Sequence, residues 1–526
     1  MNRKLGTLTA ALVAIGATVS FGLVPAAGSA LSGRIRSPLD PLPPPRPARL
    51  HHGAPGAKSP WQAIPTPLDA DSMLLLTDGS VIVQELESGN WWRLTPNAKG
   101  NYADGTWRQI ASMPAGYAPT YYASAVLPDG RVIVEGGEYN AGDEAETTQG
   151  AIYDPVANTW TSVSPPGGSD WSSIGDAPST VLADGTFMLG ACCSASDALL
   201  NENTLTWTAT GSGKADDNSE EGWSLLPDGD VLTVDTNNFT SPESTEIYSP
   251  ATGDWTSAGN TPVQLVNTRA EEIGPQLLQP NGEVFAAGAT GDNAIYNTST
   301  GTWSTGPRFP VIGGQQFDMA DGPSAVLPDG DLLLDASSGV YRDPSHFFVW
   351  NGTKLTRVAD PPDANLQPSF TGRMLVLPSG RILFNDLGSL ELYNGGGTPL
   401  ASAAPQITTV PATLTAGSAY TVSGIQLNGV TQGSAYGDDY QSATNYPLVR
   451  ITNNATGDES YARTSGMTSM SVAPGAQSSA NFTLPAGIGT GPSTLEVIAN
   501  GIASAPVSVT VDPPARHARS HERAAA

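Results

Sequence analysis

Histidine and cysteine are scarce in this 526-residue chain, with five of the first and two of the second. The two cysteines, Cys192 and Cys193, are neighbours, so no disulfide framework can staple the fold and its stability has to come from packing. Basic residues are also few: 24 Lys and Arg stand against 50 Asp and Glu, a formal charge of −26. That balance excludes nucleic acid as a partner, because phosphate binding needs a basic surface. It suits a soluble protein that binds cations or neutral molecules. Long apolar runs are missing after the first two dozen residues, so no transmembrane anchor is expected.

The one apolar run, Leu5 to Val24, follows Arg3 and Lys4 and precedes the small residues Ala26-Ala27-Gly28-Ser29-Ala30. This is the pattern of a secretory signal. It predicts a signal peptide over 1–30, a mature chain beginning near Leu31, and a secreted, extracellular protein. Residues 31–60 are proline-rich (Pro38, Pro41, Pro43 to Pro45, Pro47) and predict an extended linker. Residues 513–526 are basic and alanine-rich and predict a disordered tail. The remaining roughly 450 residues suffice for one large domain and one small one, and the protein is expected to be a monomer.

One pattern recurs along the chain: an apolar strand, a tight turn ending in glycine, and another apolar strand. It is carried by Asp78-Gly79, Asp129-Gly130, Asp184-Gly185, Asp228-Gly229, Asn281-Gly282, Asp329-Gly330 and Ser379-Gly380. Seven copies at a period of roughly fifty residues predict the blades of a kelch propeller. Asp-Gly and Asn-Gly favour hairpin turns because both central residues tolerate positive φ. A second landmark follows most turns, a Tyr or Asn and then a Trp: Tyr153 to Trp160, Asn201 to Trp207, Tyr248 to Trp255, Tyr296 to Trp303. Together the landmarks give four antiparallel strands per unit. The last unit, Arg381 to Tyr393, lacks the Trp-bearing strand, and an orphan, Trp61 to Pro65, precedes the first. The N-terminal strand is therefore expected to complete the last blade and close the ring. The expected fold is all-β: a seven-bladed kelch-type β-propeller over 61–400, followed over 403–512 by a small β-sandwich of alternating strands with Gly and Pro turns.

The repeat resembles the kelch propellers of the galactose oxidase and glyoxal oxidase superfamily. The segments Pro405-Gln406-Ile407, Gly417 to Gly424, Gly437-Asp438-Asp439, Ala443 to Ile451, Asn481 to Pro485 and Leu495 to Gly501 resemble the Early-set, immunoglobulin-like domain that follows the propeller in those oxidases and in bacterial secreted kelch-repeat proteins. The resemblance covers nearly everything from Trp61 to Asp512. It implies one copper held by two tyrosines and two histidines, with a tyrosine cross-linked to a cysteine. The histidines here do not fit that implication. His51 and His52 fall in the linker, His517 and His521 in the tail, and His346 alone in the propeller, with no Tyr-His pair anywhere. Asn445 stands roughly where a C-terminal histidine ligand is expected. Copper is accordingly not expected.

Strand order puts the Asp-Gly turns at one end of the propeller. The links between second and third strands, and between blades, lie at the other. Those links vary in length, as suits a binding surface on a rigid scaffold, and are rich in carboxylates. Glu135, Asp235, Asp335 and Asp386 follow or end second strands, and the last three are placed to converge near the central opening. Carboxylates and carbonyls suit a hard cation such as calcium; solvated acidic loops are the alternative. Trp171, Trp223, Arg269, Asn237 and Arg373 share the same face and offer aromatic and hydrogen-bonding groups to a sugar. Trp160, Trp207, Trp255 and Trp303 are expected to be structural.

Cys192 and Cys193 should also reach this face. Their Cα atoms sit about 3.8 Å apart, below the usual disulfide range of roughly 4.4 Å and up, so the alternatives are a strained vicinal disulfide and two thiols. The expected function is that of a non-catalytic secreted protein binding a glycan or another extracellular surface ligand through the acidic face. The alternative is an enzyme, either a diverged galactose or glyoxal oxidase or a carbohydrate-active hydrolase working with two carboxylates.

Overall fold

The computed structural model describes residues 59–440 and 442–514. The leader, nearly all of the proline-rich linker, the tail beyond Pro514, and with them His51, His52, His517 and His521, lie outside the described residues. No helix among the described residues is long and apolar enough to cross a membrane.

The seven glycine turns share one geometry. In each, the glycine N–H donates to the carbonyl three residues before it, as from Gly79 to Leu76 at 2.9 Å, Gly130 to Leu127 at 2.8 Å and Gly282 to Gln279 at 3.0 Å. The glycines take φ between 76° and 95°, whereas none of the preceding Asp, Asn or Ser residues has a positive φ. This corrects the expectation that both central residues are left-handed. The turn is of type I followed by a left-handed glycine bulge, which asks for positive φ at one position only. The aspartate serves otherwise: Asp129 Oδ1 accepts from the Arg131 N–H at 2.9 Å and Asp184 Oδ1 from Thr186 at 2.9 Å, stapling the turn to the next strand.

Around these turns the chain folds into seven antiparallel sheets. Sheet 1 contains Ala70–Leu75, Val81–Glu85, Trp91–Thr95 and Thr106–Gln109 in that order. Sheets 2 to 6 repeat the plan within 123–163, 179–210, 224–260, 276–305 and 324–357. Sheet 7 contains Arg373–Val376, Ile382–Asn385 and Leu390–Tyr393, and its fourth strand is Trp61–Ala63, with Trp61 opposite Tyr393. First strands abut one another around the ring, with Arg373–Val376 returning to Ala70–Leu75, and between sheets 5 and 6 the short strand Ser434–Ala435 touches both Gln276–Leu278 and Ser324–Val326. The fold is thus an all-β propeller, and its first strands lie in its interior: every residue of Ala70–Leu75, Ala123–Val126 and Ser179–Val181 is buried.

Fourth-strand tryptophans fasten every sheet but the sixth, whose fourth strand Leu355–Arg357 has none, to the one before it. Trp107 Nε1 donates to the Pro65 carbonyl at 2.9 Å, Trp160 to Ala111 at 3.0 Å and Trp207 to Ser164 at 2.8 Å. Trp255 donates to Asp197 Oδ2 at 2.6 Å and Trp303 to Thr245 Oγ1 at 3.1 Å. Trp61, on the closing strand, donates to Ala359 at 2.6 Å and packs its ring 4.8 Å from Phe347 and 4.9 Å from Tyr393. An indole suits this work because it buries a large apolar face and keeps one N–H donor at its rim.

Residues 406–512 carry nine strands in one hydrogen-bonded network, with Thr413–Thr415 running parallel to Thr510–Asp512. Val422, Phe482, Leu495, Val497 and Val509 fill its interior. This layer covers the turn end of the propeller. Met467 N–H donates to Pro128 at 3.1 Å, Met470 N–H to Ala183 at 2.9 Å, and Thr77 Oγ1 to the Thr464 carbonyl at 2.7 Å. From it one loop, 428–447, enters the ring of first strands. Ser434–Ala435 pairs with Ser324–Ala325 as a fifth strand of sheet 6 and touches the first strands of sheets 5 and 7. Gln432 accepts from Leu225 N–H at 2.9 Å and donates to Thr180 Oγ1 at 3.1 Å. Tyr436 donates to Phe370 O at 2.7 Å, Ser442 to Met374 O at 2.7 Å, and Tyr446 to Leu75 O. The loop therefore satisfies backbone groups on the inner strands that have no further strand to pair with.

Candidate functional site

Each first strand runs toward its glycine turn, so its opening residues lie at the other end of the ring. The residues there are not the apolar ones of the strand interior. Nine positions before the turn glycine stand Tyr121, Asp176, Glu220 and Asp321, and within a residue or two of that offset stand Asp71, Glu272 and Arg373. Tyr121, Glu220, Glu271 and Asp321 have φ of 53°, 57°, 65° and 50°. Non-glycine residues in that left-handed region are uncommon and tend to mark functional positions. The kink turns the chain into the strand at the ring's edge, where Tyr121, Glu220, Asp321 and Glu272, the residue after Glu271, join the axial groups. The inserted loop adds Tyr436, Asp438, Asp439 and Tyr440, all buried.

The axial residues form two adjoining groups. In the first, the Arg373 guanidinium carbon lies 4.5 Å from the Tyr436 ring centre, 4.9 Å from Tyr121 and 5.3 Å from Tyr440. Its Nη1 donates to Phe370 O at 2.9 Å and Gly372 O at 2.8 Å, and its Nε stands 4.0 Å from Asp71 Oδ1. Arg373 and Asp71 are 1% and 0% exposed. Burial pushes the Asp71 carboxyl up, and Arg373 opposes that. A planar cation among three aromatic faces is a strong packing arrangement.

The second group is acidic. Carboxylate oxygens of Asp176, Glu220 and Asp438 lie within 4.8 Å of one another, and so do those of Glu220, Glu272 and Asp321. Burial pushes every one of these five carboxyls up, and repulsion from neighbouring carboxylates adds to it, although Glu272 and Arg373 draw Asp321 back down. Asp321 rises to about 7 and Asp439 to about 6, the latter held back by Arg373. The neighbouring Glu138 rises to about 10. Gly437 passes so close to Asp321 that a Cβ there would collide with its carboxylate, which is how the loop slips between sheets 4 and 6.

The residues singled out from the sequence are dispersed by comparison. Of the five candidate ligand contacts only Arg373 reaches the axis. Trp171 is buried in a short 3-10 turn, Ser169–Trp171, within the core. Trp223 is 2% exposed, donates to Glu221 Oε1 at 3.1 Å and packs on Trp255. Neither offers an open aromatic platform. Asn237 is tied to Asp216 and to the Ser219 carbonyl, at 3.0 and 2.8 Å. Arg269 is exposed on a loop.

The four candidate cation ligands do not converge. Glu135 is wholly buried beside Gly150, with no donor on either oxygen. Asp235 belongs to a separate cluster with Asp216 and Glu221, where the Lys214 ammonium already occupies the cation's place. Its Nζ lies 2.7 Å from Asp216, 3.1 Å from Glu221 and 3.2 Å from Glu246. Asp335 is buried on its strand, and Asp386 accepts from Ser389 at 2.7 Å. Second-strand ends point between sheets, whereas first-strand starts point at the axis; that is why the offset chosen from the sequence missed the site.

Cys192 and Cys193 are joined as a vicinal disulfide at the rim, with Cys192 Sγ 3.3 Å from Glu146 Oε2. His346 stacks on Phe317 at 4.8 Å and pairs with Asp360 at 3.0 Å, away from the axial tyrosines. Asn445 is 2% exposed and donates to the Met470 carbonyl at 2.8 Å, a structural role.

Neither a known protein family nor a curated protein matches the chain. Among solved structures, one similar chain is the extracellular domain of BT4673 from B. thetaiotaomicron, described as a hybrid two component system. It is 13% identical with a TM-score of 0.45, over 69% of this chain and 44% of its own length. YCF48, solved bound to a D1 peptide, is 13% identical with a TM-score of 0.42, over 64% of this chain and 97% of its own. YjhT is 11% identical with a TM-score of 0.34, over 63% and 95%. This chain thus spans less than half the length of the first. Likenesses this remote carry no functional argument, and the assignment to the propeller class rests on the sheet topology above.

Proposed function

We propose that this is a secreted, non-catalytic binding protein of the galactose oxidase-like group: a seven-bladed kelch propeller with an immunoglobulin-like C-terminal domain. It takes a glycan or another polar extracellular ligand on the acidic end of the ring axis. The observation that carries the reading is the convergence of Asp176, Glu220, Glu272, Asp321 and Asp438, from four sheets and the inserted loop, on one end of the axis. Carboxyl groups in mixed protonation states donate and accept hydrogen bonds, which is what a polyhydroxylated ligand requires. Against a copper oxidase stands the engagement of His346 with Phe317 and Asp360. Against a two-carboxylate hydrolase stands the closeness of Glu272 and Asp321, whose carboxylate oxygens lie within 4.8 Å of each other. Paired glycosidase carboxylates stand at least about 5 Å apart to admit the sugar.

The test is retention of the full chain on a glycan array, compared with Glu220→Gln and, as a control on an exposed loop, Arg269→Ala. Glu220→Gln should lose retention and Arg269→Ala should keep it. Equal retention by both would remove the axial face from the reading. Stoichiometric copper with peroxide release on alcohols or aldehydes would replace it with the oxidase.

A further inference from the structure

The propeller contains two carboxylate clusters, and they are neutralised differently. Around Lys214, three carboxylates close on one ammonium that is 1% exposed. Around Glu220 there is no such group: among the described residues no lysine, arginine or histidine forms an ion pair with Asp176, Glu220, Glu272, Asp321 or Asp438. Arg373 is engaged by Asp71 and by the rings of Tyr121, Tyr436 and Tyr440. Yet carboxylate oxygens of Glu220, Glu272 and Asp321 lie within 4.8 Å of one another, as do those of Asp176, Glu220 and Asp438. Carboxyls so close require a shared proton or a shared cation.

A second observation points to a ligand. Glu272 is 2% exposed, and no N–H or O–H donor reaches its Oε2; Asp439 is 0% exposed, and none reaches its Oδ2. A buried carboxylate oxygen without a donor is costly to keep. These oxygens belong to the residues that meet at the axis.

We propose that this cluster is a calcium site, with Asp176, Glu220, Glu272, Asp321 and Asp438 as ligands and Glu220 shared between its two halves. The donor set is all oxygen and all carboxylate, which selects a hard cation over copper or zinc. Ligand number selects within that class: calcium takes roughly six to eight oxygens and accepts several carboxylates, whereas magnesium keeps most of its waters and is held by one or two, and five carboxylates gather here. Four ligands come from the starts of the first strands of sheets 3 to 6 and the fifth from the inserted loop. The ion therefore fastens loop 428–447 to the ring and leaves its outer coordination positions for hydroxyls of a ligand. This deepens the glycan reading and rests on the axial face being the binding face.

The experiment is calorimetric titration of the metal-stripped full chain with calcium chloride, without any glycan, alongside Asp176→Asn/Glu272→Gln and Asp216→Asn. The wild type should bind stoichiometrically and more tightly than it binds magnesium. The double variant should bind calcium at least tenfold more weakly, and Asp216→Asn, in the Lys214 cluster, should bind as wild type. Should the double variant fail to fold, hydrogen exchange on the wild type decides: calcium should slow exchange across 428–447. No binding heat and no protection at millimolar calcium, or undiminished binding by a folded double variant, would overturn the site. Glycan retention unaffected by chelator would sink the calcium proposal and spare the binding function. Calcium binding without glycan retention would do the reverse.

Discussion

Replacing Trp255 by Phe isolates one of the inter-sheet fastenings and gives it a pH signature. Trp255 is 3% exposed, its N–H donates to Asp197 Oδ2 at 2.6 Å, and Asn218 Nδ2 donates to Asp197 Oδ1 at 2.9 Å. Burial pushes the Asp197 carboxyl up to about 7, against the Trp255 and Lys214 interactions that favour its ionised form. A group whose folded pKa is raised in this way stabilises the fold fully below its unfolded pKa, near 4, and that contribution is lost as pH rises through about 7. Removing the indole N–H pushes the folded pKa higher still, so the penalty grows with pH. At pH 8 the lost bond is to a carboxylate, worth about 1.5–3 kcal/mol; at pH 5 it is to a neutral carboxyl, worth about 0.5–1.5 kcal/mol. The smaller ring adds a pH-independent packing loss. Urea denaturation at the two pH values should therefore show Trp255→Phe about 1–2 kcal/mol more destabilising at pH 8 than at pH 5. Trp207→Phe is the control: its indole donates to the Ser164 carbonyl at 2.8 Å, so its cost of about 1 kcal/mol should not move with pH. Equal penalties for Trp255→Phe at both pH values would refute the coupling between latch and carboxylate.

Tyr440→Phe removes a hydroxyl that accepts from the Met73 N–H at 2.6 Å and donates to the Met73 carbonyl. Leaving both buried backbone groups unpaired should cost about 2–3 kcal/mol in urea midpoint analysis, and a change below about 0.5 kcal/mol would mean the loop does not anchor sheet 1. Trp61→Ala should cost about 3–5 kcal/mol and make 59–63 the first site of limited proteolysis, since the closing strand loses its contacts with Phe347 and Tyr393. Thiol titration of the denatured, unreduced protein should find no free thiol and, after reduction, the two of Cys192 and Cys193; two thiols before reduction would disprove the vicinal bond.

The repeat was legible because it is local. A glycine that must take φ near 76° to 95° cannot be hidden, and a Trp four strands out recurs for the same packing reason in every sheet but the sixth. The closing strand was legible from the missing Trp after Tyr393 and the orphan at Trp61. The site was not, because it depends on which end of which strand faces the axis. Counting forward from the turn glycine leads to Asp235, Asp335 and Asp386, which end between sheets. Counting back by nine leads to Tyr121, Asp176, Glu220 and Asp321, which do not. The loop at 428–447 was less legible still. Its Gly437-Asp438-Asp439-Tyr440 stretch looks in sequence like a turn of the small domain, and only the threading of that turn through the ring gives it a role.

Where the fold spends charge is the stronger guide to function. Asp197 is answered by Trp255 and Asn218, the trio around Glu221 by Lys214, and Asp71 by Arg373. Each of these acids is buried for a structural reason, and each has a resident partner. Among the described residues Glu220, Glu272 and Asp438, like the solitary Glu135, have no basic partner, and unlike it they gather in a cluster where sheets 4 and 5 meet a loop from another layer. A basic residue there would hold the loop just as Lys214 holds its own cluster, without further chemistry. Its absence keeps the charge of the cluster available, so the stability forgone there is the mark of a position reserved for something that arrives from outside the chain.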